Sequence, residues 1–210
     1  MNRLPDLLDR LSRPARMRYA EDVFLTGRAK LRDRLVSSAY FTLSTPAWGS
    51  LADDASHLLP FVTALDRLVG RAVDPRLVVD VGTGAGASAA LAAERWPEAR
   101  VEGIDTSWRM VRRAARRHPA GNLTFRRGSA LALPYGDGTV DLVLCVNAIV
   151  VPSEVARVCA PGAHVLAAAT WVGVHEEESA WVRRLADVGV HRIEAGSVGN
   201  GSWELFDFHP

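Results

Sequence analysis

Twelve residues constrain this chain more than any others: Leu77-Val78-Val79-Asp80-Val81-Gly82-Thr83-Gly84-Ala85-Gly86-Ala87-Ser88. The apolar run Leu77 to Val79 reads as a buried parallel strand, and the Ala-rich segment from Ser88 to Trp96 as a helix. Between them stand an acid and three alternating glycines. Strand, glycine turn and helix form the first unit of a nucleotide-binding α/β sheet. The glycines let the chain turn sharply and let a ligand approach the backbone. The N–H groups that open the helix face the same ligand.

Two ligands compete for such a turn. Gly82, Gly84 and Ala87 satisfy the dinucleotide pattern G-x-G-x-x-G/A. Asp80 separates the two readings. A carboxylate at the mouth of the site repels a pyrophosphate and attracts a ligand that carries an ammonium and a sulfonium. S-adenosyl-L-methionine (SAM) is that ligand. The stretch resembles motif I of class I SAM-dependent methyltransferases, D/E-x-G-x-G-x-G, matched by Asp80, Gly82, Gly84 and Gly86.

Alternating apolar runs and helical segments continue the pattern. Strands are expected at Leu77–Val81, Arg100–Ile104, Leu123–Arg127, Val140–Val146 and His164–Thr170, with helices at Ala87–Trp96, from Thr106 or Ser107 to His118, at Ser153–Cys159 and at Glu176–Val188. His191–Ala195 and Trp203–Phe208 read as a closing antiparallel hairpin joined by residues 196–202. Pattern alone gives a doubly wound α/β sheet with its crevice beyond the carboxyl ends of the strands. The resemblance implies a Rossmann-like seven-stranded sheet with its last strand antiparallel. It extends to Ala156-Arg157-Val158-Cys159-Ala160-Pro161-Gly162, similar to the family's R-V-L-x-P-G-G turn, and to Leu133-Pro134-Tyr135-Gly136-Asp137, similar to the passage L-P-F-x-D of its small-molecule branch. Residues 1–75 precede the sheet as an N-terminal helical cap facing the substrate, and residues 76–210 form the SAM-binding domain. In the cap, helices are expected at Pro5–Leu11, Ala15–Ser38 and Leu51–Val69, with an aromatic loop, Tyr40 to Gly49, between the last two.

The candidate cofactor residues are Asp80, Gly82, Thr83, Gly84 and Gly86 in the turn, with Asp105 and Thr106 after the second strand. An acid some 20 residues beyond the glycines is placed to accept hydrogen bonds from ribose hydroxyls; the competing reading of Asp105 is a helix cap. Ser129 and Ala130 follow the third strand, where the family often carries G-D-A against adenine. Here a serine offers one uncharged acceptor instead. Asn147 ends the fourth strand, as a cofactor contact, a catalytic group that orients a nucleophile, or a satisfied polar residue. His175 is the candidate general base, able to take a proton near neutral pH. Tyr40, Trp48, His57, Trp171 and His175 are candidate acceptor-binding residues, with Tyr19 beside them. The arginines Arg16, Arg18, Arg28, Arg32 and Arg34 read as a solvated helix face, because acids are interspersed.

Composition removes other classes. The formal net charge is +1 and gives no overall polyanion signature. The [D/N]-P-P-[Y/F] signature of nucleic-acid methylation does not follow the fourth strand, so no nucleic-acid partner is expected. The two cysteines, Cys145 and Cys159, sit in apolar runs without metal-ligand spacing, so no metal is expected. No signal peptide is expected in Met1 to Arg18, and no apolar run approaches the roughly 20 residues of a membrane span. The expectation is a cytoplasmic SAM-dependent methyltransferase, monomer or homodimer, acting on an O, N or C atom of a small molecule, with specialised metabolism as its setting. Two alternatives stay open: a non-methylating member of the fold (cyclase, sensor or inactive partner subunit) and, behind it, an NAD(P)-binding oxidoreductase.

Overall fold

The computed structural model describes residues 3–26, 28, 30–43, 55–148, 151–170 and 179–210. Three helices come first: α1 (Arg3–Thr26), α2 (Leu31–Leu43) and α3 (Ala55–Gly70). The sheet elements follow as β1 (Leu77–Val81), α4 (Ala87–Arg95), β2 (Arg100–Asp105), α5 (Trp108–Arg117), β3 (Leu123–Arg127) and β4 (Val140–Val146). The chain then adds α6 (Pro152–Val158), β5 (Cys159–Thr170), α7 (Ala180–Ala186), β6 (Val190–Val198) and β7 (Gly201–Phe208).

The seven strands run in the order β3-β2-β1-β4-β5-β7-β6. β1 to β5 are mutually parallel, and β7 runs antiparallel between β5 and β6. β1 and β4 are neighbours, so the strand order reverses there and opens the crevice in which ligands of such sheets bind. Strand β1 is buried on both faces, as its apolar run predicts. On one side of the sheet, Phe61, Leu65 and Leu68 of α3 and Ala89 and Ala92 of α4 pack in one core with Trp203 and Leu205. On the other, Val79, Val143, Leu185 and Phe206 form a second. The last helix of the N-terminal region is therefore part of the sandwich.

Local chemistry fixes the helix ends. Ser107 caps α5 by accepting from the Met110 N–H at 3.4 Å. The Asn122 amide lies within 3.1–3.2 Å of the carbonyls of Ala93, Trp96 and Ala99, so it serves the carbonyls left over where α4 ends.

Several expected boundaries move. The helix read as beginning at Ala15 and the short one before it are one helix, α1, which runs through Pro14. Arg16 Nε donates to Ser12 Oγ at 3.1 Å, a side-chain link across the turn that proline weakens. The chain breaks instead after Thr26, and α2 folds back on α1 with Asp33, fully buried, held by Arg18 at 2.9 Å. Residues 40–43, expected in a loop, close α2; residues 44–54 lie outside the described part. β5 begins at Cys159 rather than His164. Its pairing passes from Val140↔Cys159 to Leu142↔His164, so three extra residues bulge there and absorb Pro161 and Gly162. The closing hairpin is tighter than expected. Val198 pairs with Gly201, and only Gly199 (φ 58°) and Asn200 make the turn, with glycine first as a type II′ turn requires.

Candidate active site

The glycine turn is tied down before it meets any ligand. The N–H groups of Gly82 and Thr83 donate to the Ile104 carbonyl at the end of β2, at 2.9 and 3.0 Å. Gly82 has φ 74°, and a Cβ there would stand 2.5 Å from Ala148 Cβ. It is required by backbone geometry and by the close approach of the residues after β4. Gly84 has φ 54°, and a Cβ added there would meet nothing nearer than 3.9 Å. Gly86 has a different task. Its Cα packs against Phe125 and Ala114, where a Cβ would come within 2.8–2.9 Å.

Asp105 takes the capping role that the sequence left open and also holds the glycine turn. Its Oδ2 accepts from the Gly84 N–H at 3.0 Å and its Oδ1 from the Ser107 N–H at 2.8 Å. Burial pushes its carboxyl up from the ordinary carboxylate range, and these two donors counter the shift. It braces the turn and the start of α5, and each oxygen keeps a lone pair for a hydroxyl group.

Asp80 is not at the mouth. It lies 1% exposed behind the turn, where Ser88 Oγ donates to its Oδ2 at 2.7 Å. Its Oδ1 has no hydrogen-bond partner among the described residues. Burial raises its pKa to about 6, against the pull of the Ser88 and Thr83 hydroxyls and the Ala89 N–H.

A cavity of about 1000 Å³ opens over the turn. Its sheet end is walled by Gly82 to Ala85, by Asp105 and Thr106, and by Ser129, Ala130 and Leu131. Ser129 Oγ accepts from the Leu131 N–H at 3.2 Å, which fixes that loop. The helical end is walled by Tyr19 and Val23 of α1, Arg34 and Ser37 of α2, and His57 of α3. Asn147 stands between the two ends at φ 51°, a conformation asparagine tolerates better than most residues. Its Oδ1 accepts from the Thr170 N–H at 2.8 Å, and this fixed backbone donor sets the orientation of the amide. Asn147 Nδ2 then lies 3.1 Å from Thr170 Oγ1 and 3.2 Å from His57 Nε2. His57 Nε2 is thereby the acceptor, which puts the proton of a neutral ring on Nδ1.

The structure therefore brings Gly82, Thr83, Gly84, Asp105, Thr106, Ser129, Ala130, Asn147 and His57 to one cavity. It corrects three expectations. Asp80 and Gly86 act from behind the wall, one as a buried charge and one as a packing point. Tyr40 is not in the wall either; its ring lies 3.7 Å below the Arg16 guanidinium and joins α2 to α1. The side-chain role proposed for Asn147 changes too: both amide N–H groups are engaged, so the side chain positions His57 and β5 and has no donor left to orient a nucleophile. Trp48, Trp171 and His175 lie outside the described residues. Sequence reasoning missed Ser37 and the wall position of Arg34. Their spacing of three marks a shared helix face, but nothing in it says which way the face turns.

The residues present fit SAM. Asp105 and Ser129 offer acceptors beside a cleft lined by Ile104, Ala130 and Leu131, suited to an adenosine, and the orphaned Asp80 oxygen marks negative charge beneath the turn, suited to a cationic amino acid part. SAM is the cofactor of proteins built this way.

Comparison with known proteins agrees. A family model described as a methyltransferase domain matches residues 78–168. A trans-aconitate 2-methyltransferase of Rhodopseudomonas palustris (strain BisB18) is 45% identical over 67 residues, 32% of this chain and 26% of that one. A 23S rRNA (guanine(748)-N(1))-methyltransferase of Streptomyces fradiae is 33% identical over 153 residues, 69% of this chain and 52% of that one. The chain thus spans between a quarter and about half of the length of these relatives. Among solved structures, magnesium protoporphyrin IX methyltransferase from Synechocystis PCC 6803 shares the fold with a TM-score of 0.69 at 17% identity, covering 84% of this chain and 100% of that one. With the glycine turn after β1, the strand order β3-β2-β1-β4-β5-β7-β6 and the family-model match, residues 78–168 form a class I SAM-dependent methyltransferase domain.

Proposed function

We propose that this protein transfers the SAM methyl group to an O, N or C nucleophile of a small molecule. One observation carries the reading: a single cavity runs from the cofactor residues of the sheet to the side chains of α1 and α2. Its volume of about 1000 Å³ stands at the upper end of the roughly 300–1000 Å³ typical of ligand pockets, enough for a cofactor and a compact acceptor together. The names of two relatives support a small acceptor, trans-aconitate in one and a fatty acid in the other. The rRNA relative marks nucleic acid as the competing acceptor.

The transfer is an in-line displacement at a methyl already activated by its sulfonium. What the chain must do is hold the acceptor aligned and keep water out, and alignment alone supplies a large share of such a barrier. Asp105 and the loop at Ser129 fix the adenosine, the turn fixes the amino acid part, and α1 and α2 close the far end. His57 is spoken for by Asn147 at Nε2, so a base, where the nucleophile needs one, comes from elsewhere; His175 keeps that proposed role. No described helix is long and apolar enough to cross a membrane.

Calorimetric titration with S-adenosylhomocysteine (SAH), SAM and NADH tests the reading. SAH and SAM are expected to bind and NADH not. Binding of NADH alone refutes the proposal. Binding of SAH with no turnover across small nucleophiles, but with turnover on RNA, moves the acceptor to nucleic acid.

A further inference from the structure

We infer that helix α5 carries a docking surface for single-stranded nucleic acid, made of its arginine face and the exposed ring of Trp108. The inference goes beyond the methyl transfer and is independent of which molecule accepts the methyl group.

Charge is the first observation. Helix α5 reads Trp-Arg-Met-Val-Arg-Arg-Ala-Ala-Arg-Arg, with five arginines and no acid. The whole-chain charge of +1 hides this concentration. Arg109, Arg112, Arg113, Arg116 and Arg117 stand at helical spacings of three and four, so they share one face. Four of them are exposed and Arg113 is half-buried, while Met110 and Ala114 turn the other face into the core. Like charges at these spacings repel. The helix dipole favours only Arg116 and Arg117, in the last turn. Elsewhere the fold pairs arginine with acid, as in Arg18 with Asp33, Arg157 with Glu154 and Arg192 with Glu204. Arg109, Arg112, Arg113 and Arg116 form no ion pair among the described residues.

Shape is the second. A groove of about 480 Å³ runs among the five arginines and Trp108. Arg109 and Arg117 are about 12 Å apart along the axis, room for about three or four phosphates at the ~3.4 Å spacing of a stacked strand. Trp108 is the third. Its ring is 51% exposed, with the guanidinium carbons of Arg112 and Arg109 at 5.4 and 5.7 Å from its centre. A flat ring beside cations is a platform for a base. Trp108 and Arg109 also belong to the wall of the large cavity, so the strip starts at the cofactor cleft and leads away from it.

These features select the occupant. Arginine forks match phosphate oxygens, and the ring matches an unpaired base, which a duplex keeps inside its stack. A lipid surface needs an apolar helix face to insert. Helix α5 uses that face in the core, and Trp108 is its one exposed large apolar side chain.

The experiment reads the fluorescence anisotropy of a labelled single-stranded RNA, and of DNA of the same sequence, from about 50 to 200 mM salt. Wild-type protein is expected to bind both, more weakly as salt rises. The triple variant Arg112→Gln, Arg113→Gln, Arg116→Gln is expected to bind about tenfold more weakly or worse, with the slope of log affinity against log salt shallower by about two. None of these three residues lines the cofactor cavity, so SAH affinity and the circular dichroism spectrum stay at wild-type values. The matching triple lysine variant keeps the charge and recovers most of the loss. Trp108→Ala weakens binding about tenfold with the slope unchanged, and Trp108→Phe less. Wild-type protein that binds neither strand, or a triple glutamine variant that binds as well as wild type, overturns the surface. Heparin bound as tightly as RNA, with no loss in Trp108→Ala, overturns it in favour of a general polyanion exchanger. Vesicles of phosphatidylcholine and phosphatidylserine that bind the wild type when RNA does not overturn it in favour of a lipid. The assay contains no cofactor, so a failure to bind SAH refutes the methyltransferase reading and leaves this one to the anisotropy alone.

Discussion

Ser88 Oγ donates a 2.7 Å hydrogen bond to Asp80 Oδ2, joining the first turn of α4 to the end of β1 beneath the glycine turn. The bond satisfies one carboxylate oxygen and leaves the other without a direct hydrogen bond among the described residues. A charge so placed costs stability, and a cation nearby would offset that cost.

Asp80 gives the protein a pH-dependent stability of definite sign. Its folded pKa of about 6 lies above the value near 3.8 of an exposed carboxyl. Between pH 4 and 6 the folded state holds a proton that the unfolded state has released, so this group's contribution falls as pH rises through that window. Two units correspond to about 3 kcal/mol. Asp80→Asn is expected to be more stable than wild type at pH 7, with the gap closing by pH 4, in urea titrations at both values. No gap at pH 7 contradicts the buried charge.

The same carboxylate predicts how the cofactor binds. An ammonium group above the turn favours ionised Asp80, so the affinity for SAH, through the ammonium of its amino acid part, is expected to rise as pH increases through about 6. In Asp80→Asn that slope disappears and affinity at pH 7 drops. Calorimetry from pH 5 to 8 reads both effects; a slope that persists in the variant assigns it to another group.

Asn147 is expected to bind the helical end to the sheet. Asn147→Ala loses the bonds to Thr170 and His57 and places alanine at φ 51°. The expected loss is about 2–4 kcal/mol in chemical denaturation. Asn147→Gly removes the same bonds without the backbone strain and should lose less. A glycine variant as stable as wild type means the network carries no stability.

Gly82 is expected to be intolerant for two separable reasons. Gly82→Ala meets Ala148 at 2.5 Å and adopts φ 74° with a side chain. SAH affinity and thermal stability should both fall. Adding Ala148→Gly relieves the collision and not the backbone strain, so the double variant should recover part of the loss. Simple additivity of the two substitutions argues against the contact.

Cys145 and Cys159 are expected to be silent toward thiol reagents in the folded state. Burial pushes each to about 12, and Cys145 also feels the negative charge of Asp80. At pH 8 neither should react, and both should react once the protein is unfolded. Rapid labelling of either native thiol would show an opening that the fold does not contain.

The parts of this fold written in sequence are those in which one cause dominates. β1 and β4 are buried on both faces, so their apolar runs are unbroken and stop at residues with special backbone needs. Asp105 was readable because the distance from glycine turn to second strand end is set by one helix and one strand. Other features needed partners far along the chain. Gly196 reads as a turn residue, yet it lies within β6 because the ring of Trp203 covers it; a Cβ there would meet the ring at 2.7 Å. Tyr40 reads as a loop aromatic until Arg16 is placed over its ring. Ser37 looks like any helix serine until α2 turns that face to the cavity.

Strand β7 follows every other strand in the chain, yet it lies inside the sheet between β5 and β6. While the chain emerges from the ribosome, β5 therefore waits with a bare edge of backbone donors and acceptors until Gly201–Phe208 has been made. Bare edges recruit other chains. The sheet is thus most exposed to aggregation before β7 is made, and a chain stopped near residue 200 would leave the β5 edge open.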